Sequence, residues 1–486
     1  MSEAKTGVAG LDHILYGGLV PFRTYLVEGT PGAGKTTLAM QFLLEGTRQN
    51  EKSLYITLSE TKEELEYSAR AHGWSLEGIH VREYIISDAN MEREREITMY
   101  HSAEVELGET MTRMLADIQQ IKPHRIVIDA LSELRLLSDS VIRYRRHLLA
   151  LKKFFSECKC TVLVLDDRSG VERDSHVESI VHGVITLDHD LTPYGADRRR
   201  LRVRKLRAKK FMTGLHDYTI RTGGIEVFPR LVASEHKTKF DRHPLPSGIA
   251  SLDALLGGGP QAGTSTLLIG PAGSGKTTVA LQYAAAAAAR GERATVYMFD
   301  ELRGLMLDRL KEVGVDLQAV VEQGSMTLRQ IDPTQMSPGE LAAQVRHDVE
   351  DHGAKVVVID SLNGYLNSMP HEEFLSPQLH ELVAYLGNRG VATFMVVAQQ
   401  GIIGSNMRTP IDASYLADSV VMFRYFEAEG QVRKAISVAK KRGGGHENTI
   451  RELTINSEGV KVGRALNDYQ GVLTGVPNTR KRNEVD

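Results

Sequence analysis

Short apolar runs alternate along this chain with longer stretches of helical period. In the first half, Tyr25-Leu26-Val27 and residues 53–58, 125–129 and 161–165 read as buried strands. Between them, residues 38–44, 62–72 (closed by Gly73), 107–120 and 144–157 read as helices. The second half repeats the order, with strands at 265–269, 294–299, 355–360 and 392–398 and a helix opening at 279–283. Strands spaced by helices of this length predict an α/β fold whose sheets are mainly parallel and covered on both faces. Residues 91–96 read as a solvated surface segment.

The repeat has a sharp centre. Gly29-Thr30-Pro31-Gly32-Ala33-Gly34-Lys35-Thr36, followed by Thr37, joins an apolar strand to a helix. Gly270-Pro271-Ala272-Gly273-Ser274-Gly275-Lys276-Thr277, followed by Thr278, does the same at an offset of 241 residues. Each is G-x-x-x-x-G-K-T in the context of a phosphate-binding loop. Glycines let the backbone curl its N–H groups inward, and the helix that follows adds its positive end. Lys35 and Lys276 would reach the terminal phosphates, and the hydroxyls of Thr36 and Thr277 would join a Mg²⁺ shell. The surroundings repeat at the same offset: Thr6-Gly7 to Leu11-Asp12 is answered by Ser247-Gly248 to Leu252-Asp253, and Gly17-Gly18 by Gly258-Gly259. The chain therefore carries two nucleotide sites in a duplicated frame.

Length fits that division: 486 residues give two domains, each able to bury its own core. The expected boundaries are 1–232 and 244–472, a polar linker at 233–243 and a mobile tail at 473–486. A net charge of −3 supplies no global basic field for nucleic acid or acidic membrane. No apolar run is long enough to span a bilayer, the longest being the alanine stretch 284–289. Cys158 and Cys160 read as ordinary reduced cysteines, and the expected compartment is the cytoplasm.

Asp129 and Asp360 each end an apolar strand after the loop, the position from which such proteins hold Mg²⁺. Glu60 in the first half, and Asp300 or Glu301 in the second, are the candidate bases for orienting an attacking oxygen. Residues 198–210 hold nine cations in 13 positions and admit three readings: a nucleic-acid groove, a solvated basic edge strand, or a strand presenting Lys205 and Arg207 on one face. The last is supported by its echo in Lys440 and Arg442. Such a pair suits a finger reaching a neighbouring subunit's γ-phosphate, which implies a ring.

Taken together, these residues resemble the KaiC family, the double-domain RecA-like ATPases of the bacterial circadian clock. The resemblance spans both loops, the strand-end acids, both Lys-x-Arg pairs and the closing Asn467-Asp468-Tyr469 to Gly475-Val476-Pro477. It implies two tandem RecA-like P-loop domains, ATP and Mg²⁺ as cofactors, and a homohexamer of two stacked rings. The first ring would be a slow ATPase and the second a serine/threonine autokinase. Implied partners are a KaiB-like protein on the first ring and a KaiA-like protein or a histidine kinase at the tail. Two departures stand out: the family's first acidic pair is here Ser59-Glu60, and its adjacent phosphorylated Ser-Thr is here Ser414-Tyr415, with Thr409 near a further family threonine. A phenol is too long for a pocket sized for threonine, so an ordered two-site cycle is not expected. Two other classes stay open: a DNA-dependent RecA-type motor or recombinase, and a non-kinase scaffold switched by nucleotide.

Overall fold

The computed structural model describes residues 3–84, 102–136, 138, 140–168, 175–192, 194–367, 374–399, 401, 414–474 and 478–479. Residues 91–96 and Thr409 lie outside them. The chain divides into two compact units, residues 1–230 and 231–486.

The first unit is built on β1 (Thr24–Gly29), β2 (Ser53–Thr57), β3 (Ile79–Glu83), β4 (Arg125–Asp129), β5 (Thr161–Asp167), β6 (Gly183–Asp190), β7 (Arg198–Leu206), β8 (His216–Arg221) and β9 (Gly224–Phe228). They form one sheet in the order β3-β2-β4-β5-β1-β6-β7-β8-β9. From β3 to β6 neighbouring strands are parallel, and from β6 to β9 they are antiparallel. The second unit repeats this with β10 (Ser265–Gly270), β11 (Arg293–Met298), β12 (Met326–Gln330), β13 (Ala354–Asp360), β14 (Ala392–Ala398), β15 (Ser419–Ala428), β16 (Gln431–Lys441), β17 (Arg451–Asn456) and β18 (Gly459–Ala465). Its order is β12-β11-β13-β14-β10-β15-β16-β17-β18. The mainly parallel, doubly covered α/β architecture is the one expected; the antiparallel extensions were not foreseen.

The inner parallel strands are mostly apolar because helices cover both faces, whereas the parallel edge strands β3 and β12 carry exposed polar positions. In the second unit one face packs on the helix Lys276–Ala289 and the other on Pro338–Glu350 and Leu375–Asn388. The alanine run belongs to the first of these, where Ala280, Ala284 and Ala287 are fully buried. Small side chains bring that helix close to the sheet at little cost in helix propensity.

The two units fill one matching position differently. Arg125 on β4, 1% exposed, lies 4.7 Å over the Phe42 ring. It binds Glu51 and the carbonyls of Lys5 (2.6 Å) and Phe42 (2.9 Å). A Cβ on Gly46 would sit 2.5 Å from its Cδ, so the glycine makes room for it. The second unit has Val356 for Arg125 and Ala287 for Gly46, an apolar contact in place of the buried ion.

The stretch expected to be a polar linker is docked at its start. Leu231 and Ala233 are buried in the second unit's core. The amide of Ala233 donates to Glu381 (2.8 Å), and the Asn388 side chain donates to the Ala233 carbonyl (2.8 Å). Within the expected tail, Asn478–Thr479 pairs with Tyr469–Gln470 as a short antiparallel ribbon.

Breaking a buried ion pair by removing one partner costs about 3–5 kcal/mol. Arg125→Ala should therefore lower the urea midpoint of the first unit. Trp74, the only tryptophan, lies in that unit and reports it by fluorescence. An unchanged midpoint would show that the Arg125 network adds nothing to stability.

Candidate functional site

Both phosphate loops lie at the carboxyl ends of the parallel strands, where ligands bind in open α/β sheets. In the first, Gly34 caps the helix Lys35–Arg48 with φ 92°, and in the second Gly275 caps Lys276–Ala289 with φ 104°. Only glycine takes such a conformation readily. Space forbids a side chain as well: a Cβ would come within 2.6 Å of Ile220 Cδ1 at Gly34 and 2.3 Å of Ile455 Cδ1 at Gly275.

Each lysine is buried and turned onto its own loop. Lys35 Nζ donates to the carbonyls of Gly29 (3.0 Å) and Thr30 (3.2 Å) and forms an ion pair with Asp167 at the end of β5. Lys276 Nζ donates to the Pro271 carbonyl at 2.6 Å. The register puts Ala398 where Asp167 stands, so the second lysine lacks that acid. Burial draws the Lys276 pKa down to about 8, against a smaller upward pull from Asp360.

The candidate metal aspartates sit beside the loop threonines. Thr36 Oγ1 donates to Asp129 Oδ2 at 3.1 Å, and the Tyr55 hydroxyl donates to the same oxygen at 2.6 Å. Burial holds the Asp129 carboxyl above its ordinary range despite these bonds. In the second half burial pushes Asp360 up to about 6; a hydrogen bond with Thr277 lowers it, and the charge of Glu301 raises it further. A hydroxyl and a carboxylate, both hard oxygen donors, suit Mg²⁺. The peptides Asp129–Ala130 and Asp360–Ser361 are both cis, a further identity between the halves.

The candidate bases differ. Glu60 is pushed upward by burial first, then by the charges of Asp129 and Glu64. Glu301, its counterpart, is held by Arg309 in a two-pronged pair, 3.0 Å from Nε and 2.8 Å from Nη2. Asp300 accepts from the Ser361 hydroxyl at 2.5 Å.

The two Lys-x-Arg pairs occupy the same setting in each unit. Lys205 donates to the carbonyls of Glu178 and Val181, and Arg207 to that of Ser179. Lys440 donates to the carbonyls of Ser414 and Ala417, and Arg442 to that of Tyr415. Ser414 and Tyr415 are exposed on the turn these cations bind.

The basic stretch 198–210 is not a solvated edge strand. β7 pairs with β6 along its length and with β8 at Arg200 and Leu201. Arg200 pairs with Asp190 and Asp217, Arg204 with Glu28 and Glu178, and Lys209 with Glu3. Those three cations are paired with acids of the same unit.

Sequence reading missed Tyr55, Asp167, Arg309 and Ser361. Asp167 carried the weak signal of an acid ending an apolar strand. Arg309 lies in the helix Arg303–Glu312, which begins two residues after Glu301.

Among the described residues no helix is long and apolar enough to cross a membrane. The family model described as "ATPase: KaiC" matches residues 4–232 and 245–467. The "Circadian clock oscillator protein KaiC" of Parathermosynechococcus lividus is 26% identical over 99% of this chain and 90% of its own length. That of Acaryochloris marina is 25% identical over 98% and 91%. The "Circadian clock protein KaiC3" of Synechocystis sp. is 26% identical over 100% and 96%.

A carboxyl whose folded pKa exceeds its ordinary value of 3.8 adds stability below that value and loses it as pH rises through the folded pKa, here about 6. At pH 7.5 without nucleotide, Asp360→Asn should therefore melt at or above the parent temperature, and the difference should vanish near pH 4. A lower melting temperature at pH 7.5 would refute the burial argument.

Proposed function

This chain belongs to the KaiC ATPase family, and on that premise we propose that both phosphate loops bind ATP with Mg²⁺ in a homohexamer. The observation that carries this reading is the duplicated set of loop lysine, loop threonine and strand-end aspartate: Lys35, Thr36 and Asp129, then Lys276, Thr277 and Asp360. Mg²⁺, when bound, neutralises charge on the phosphate oxygens. The loop amides and lysines hold and orient the phosphates.

In the first ring a water attacks the γ-phosphorus, its proton passes to Glu60, and ADP leaves. An upward-shifted carboxyl suits that role, because its pKa moves toward the operating pH. Lys205 and Arg207 reach the neighbouring subunit's γ-phosphate and stabilise its developing charge. Their carbonyl contacts within the chain hold the pair at one place on the subunit surface.

In the second ring we assign autokinase chemistry to Ser414, with Thr409 as a further acceptor. The Ser414 oxygen attacks the γ-phosphorus of ATP at a subunit boundary. Its proton goes to Asp300 or Glu301, and ADP is released, with Lys440 and Arg442 serving as the finger. A second reading, the nucleotide-switched scaffold, is favoured by one observation: both acids already have partners, Ser361 and Arg309. Under either reading the ring offers partners a surface set by nucleotide state. The family resemblance points to a KaiB-like protein, and to a KaiA-like protein or histidine kinase.

Glu60→Gln should slow phosphate release about 10²-fold while nucleotide affinity is retained. Equal rates would remove Glu60 from the chemistry. For the second ring, the test is the mass of the intact protein after incubation with Mg²⁺-ATP, followed by peptide mapping of residues 409–419. Phosphate on Ser414 or Thr409, absent in Lys276→Ala, is the expected result. No added mass while ATP is still consumed favours the scaffold.

A further inference from the structure

The two loop lysines spend their hydrogen-bond donors differently. An ammonium has three N–H groups. On Lys35 all three have acceptors: the carbonyls of Gly29 (3.0 Å) and Thr30 (3.2 Å), and Asp167 Oδ1 at 2.5 Å. Among the described residues, Lys276 Nζ has a single acceptor, the Pro271 carbonyl at 2.6 Å.

The acid on Lys35 is placed by the sheet. Asp167 ends β5 opposite Gly29, the first residue of its loop, and Ala398 ends β14 opposite Gly270. The charged neighbours of Asp167 in the chain have other partners: Asp166 pairs with Arg135 at 2.6 Å, and Arg168 with Asp188 at 2.7 Å. In the second unit Gln399 and Arg424 stand in the places of Arg168 and Asp188, and they bond to each other. That stretch offers Lys276 no carboxylate.

Asp167 is held less tightly than the lysine it binds. Its side chain is 36% exposed, against 9% for Lys35, so the carboxylate can turn to water while the lysine stays buried. It also acts on the metal aspartate. Asp129 is raised by burial first, and Lys35 and Asp167 pull it in opposite directions. A phosphate oxygen that binds Lys35 needs a donor now given to Asp167, and two anions on one donor repel.

We propose that Asp167 is an intramolecular competitor for nucleotide phosphate at the first loop. Its carboxylate neutralises Lys35 and must leave before a phosphate oxygen takes its place, which loosens ATP and ADP alike. The proposal rests on reading Gly29 to Thr36 as a nucleotide site. One strand-end position, Asp167 in the first half and Ala398 in the second, thereby tunes the affinity of each loop separately.

The test uses the full-length chain carrying Lys276→Ala, so that only the first loop binds. Affinities for Mg²⁺-ATP and Mg²⁺-ADP are measured by equilibrium dialysis. Adding Asp167→Ala should tighten both about tenfold or more, the scale of one charge-assisted hydrogen bond. Asp167→Asn should give most of that gain, because the charge is gone. Without nucleotide, both variants should melt no higher than their parent, since Lys35 loses its counter-ion. Tighter binding without added stability is a result that a merely structural role would not produce. The converse change, Ala398→Asp in a Lys35→Ala chain, should weaken the second loop by a similar factor. Unchanged or weaker binding in the Asp167 variants overturns the proposal, as does an Ala398→Asp chain that binds as its parent does. If the Lys276→Ala parent binds neither nucleotide, the first-site reading fails as well.

Discussion

Everything in this molecule turns on burying charge at the ends of parallel strands. The sheets place Lys35 and Asp129, and again Lys276 and Asp360, where solvent is largely excluded. Burial raises both aspartates and lowers Lys276, so each loop holds ionisable groups in surroundings that disfavour their charge. A polyphosphate with a divalent cation would supply the opposite charges. The fold prepares the groups, and the ligand completes the electrostatics.

The halves share that constraint and meet it differently. The first surrounds its loop with carboxylates and pairs them internally: Asp167 with Lys35, Asp188 with Arg168, and Tyr55 on Asp129. In the second, register or offset puts Ala398, Arg424 and Val296 at those places, and Arg309 is added onto Glu301. One scaffold therefore carries two loops of different charge balance, which suits two different uses of the same phosphates.

Much of this was legible in the residues. Apolar runs located the parallel strands, and the glycine pattern located both loops, because each signal is local. Of the antiparallel strands, β7 and β16 were read only through their Lys-x-Arg pairs, and β8, β9 and β18 were not read, since half-exposed strands alternate and carry charge. Residues 198–210 read as a basic surface, yet their acids come from Asp190, Asp217, Glu28 and Glu178, neighbours created only by sheet order. Asp167 and Arg424 were invisible for the same reason: what they touch is decided by register.

The brace around Ala233 sets the two halves of the duplicated chain apart. Glu381 and Asn388, which grip the segment leading into the second repeat, correspond through the sheet register to Ala150 and Glu157 in the first. The later copy thus has fittings for a covalent predecessor that the earlier copy lacks. The halves are therefore not interchangeable modules: the residues that hold the incoming segment stand in one of them and not in the other.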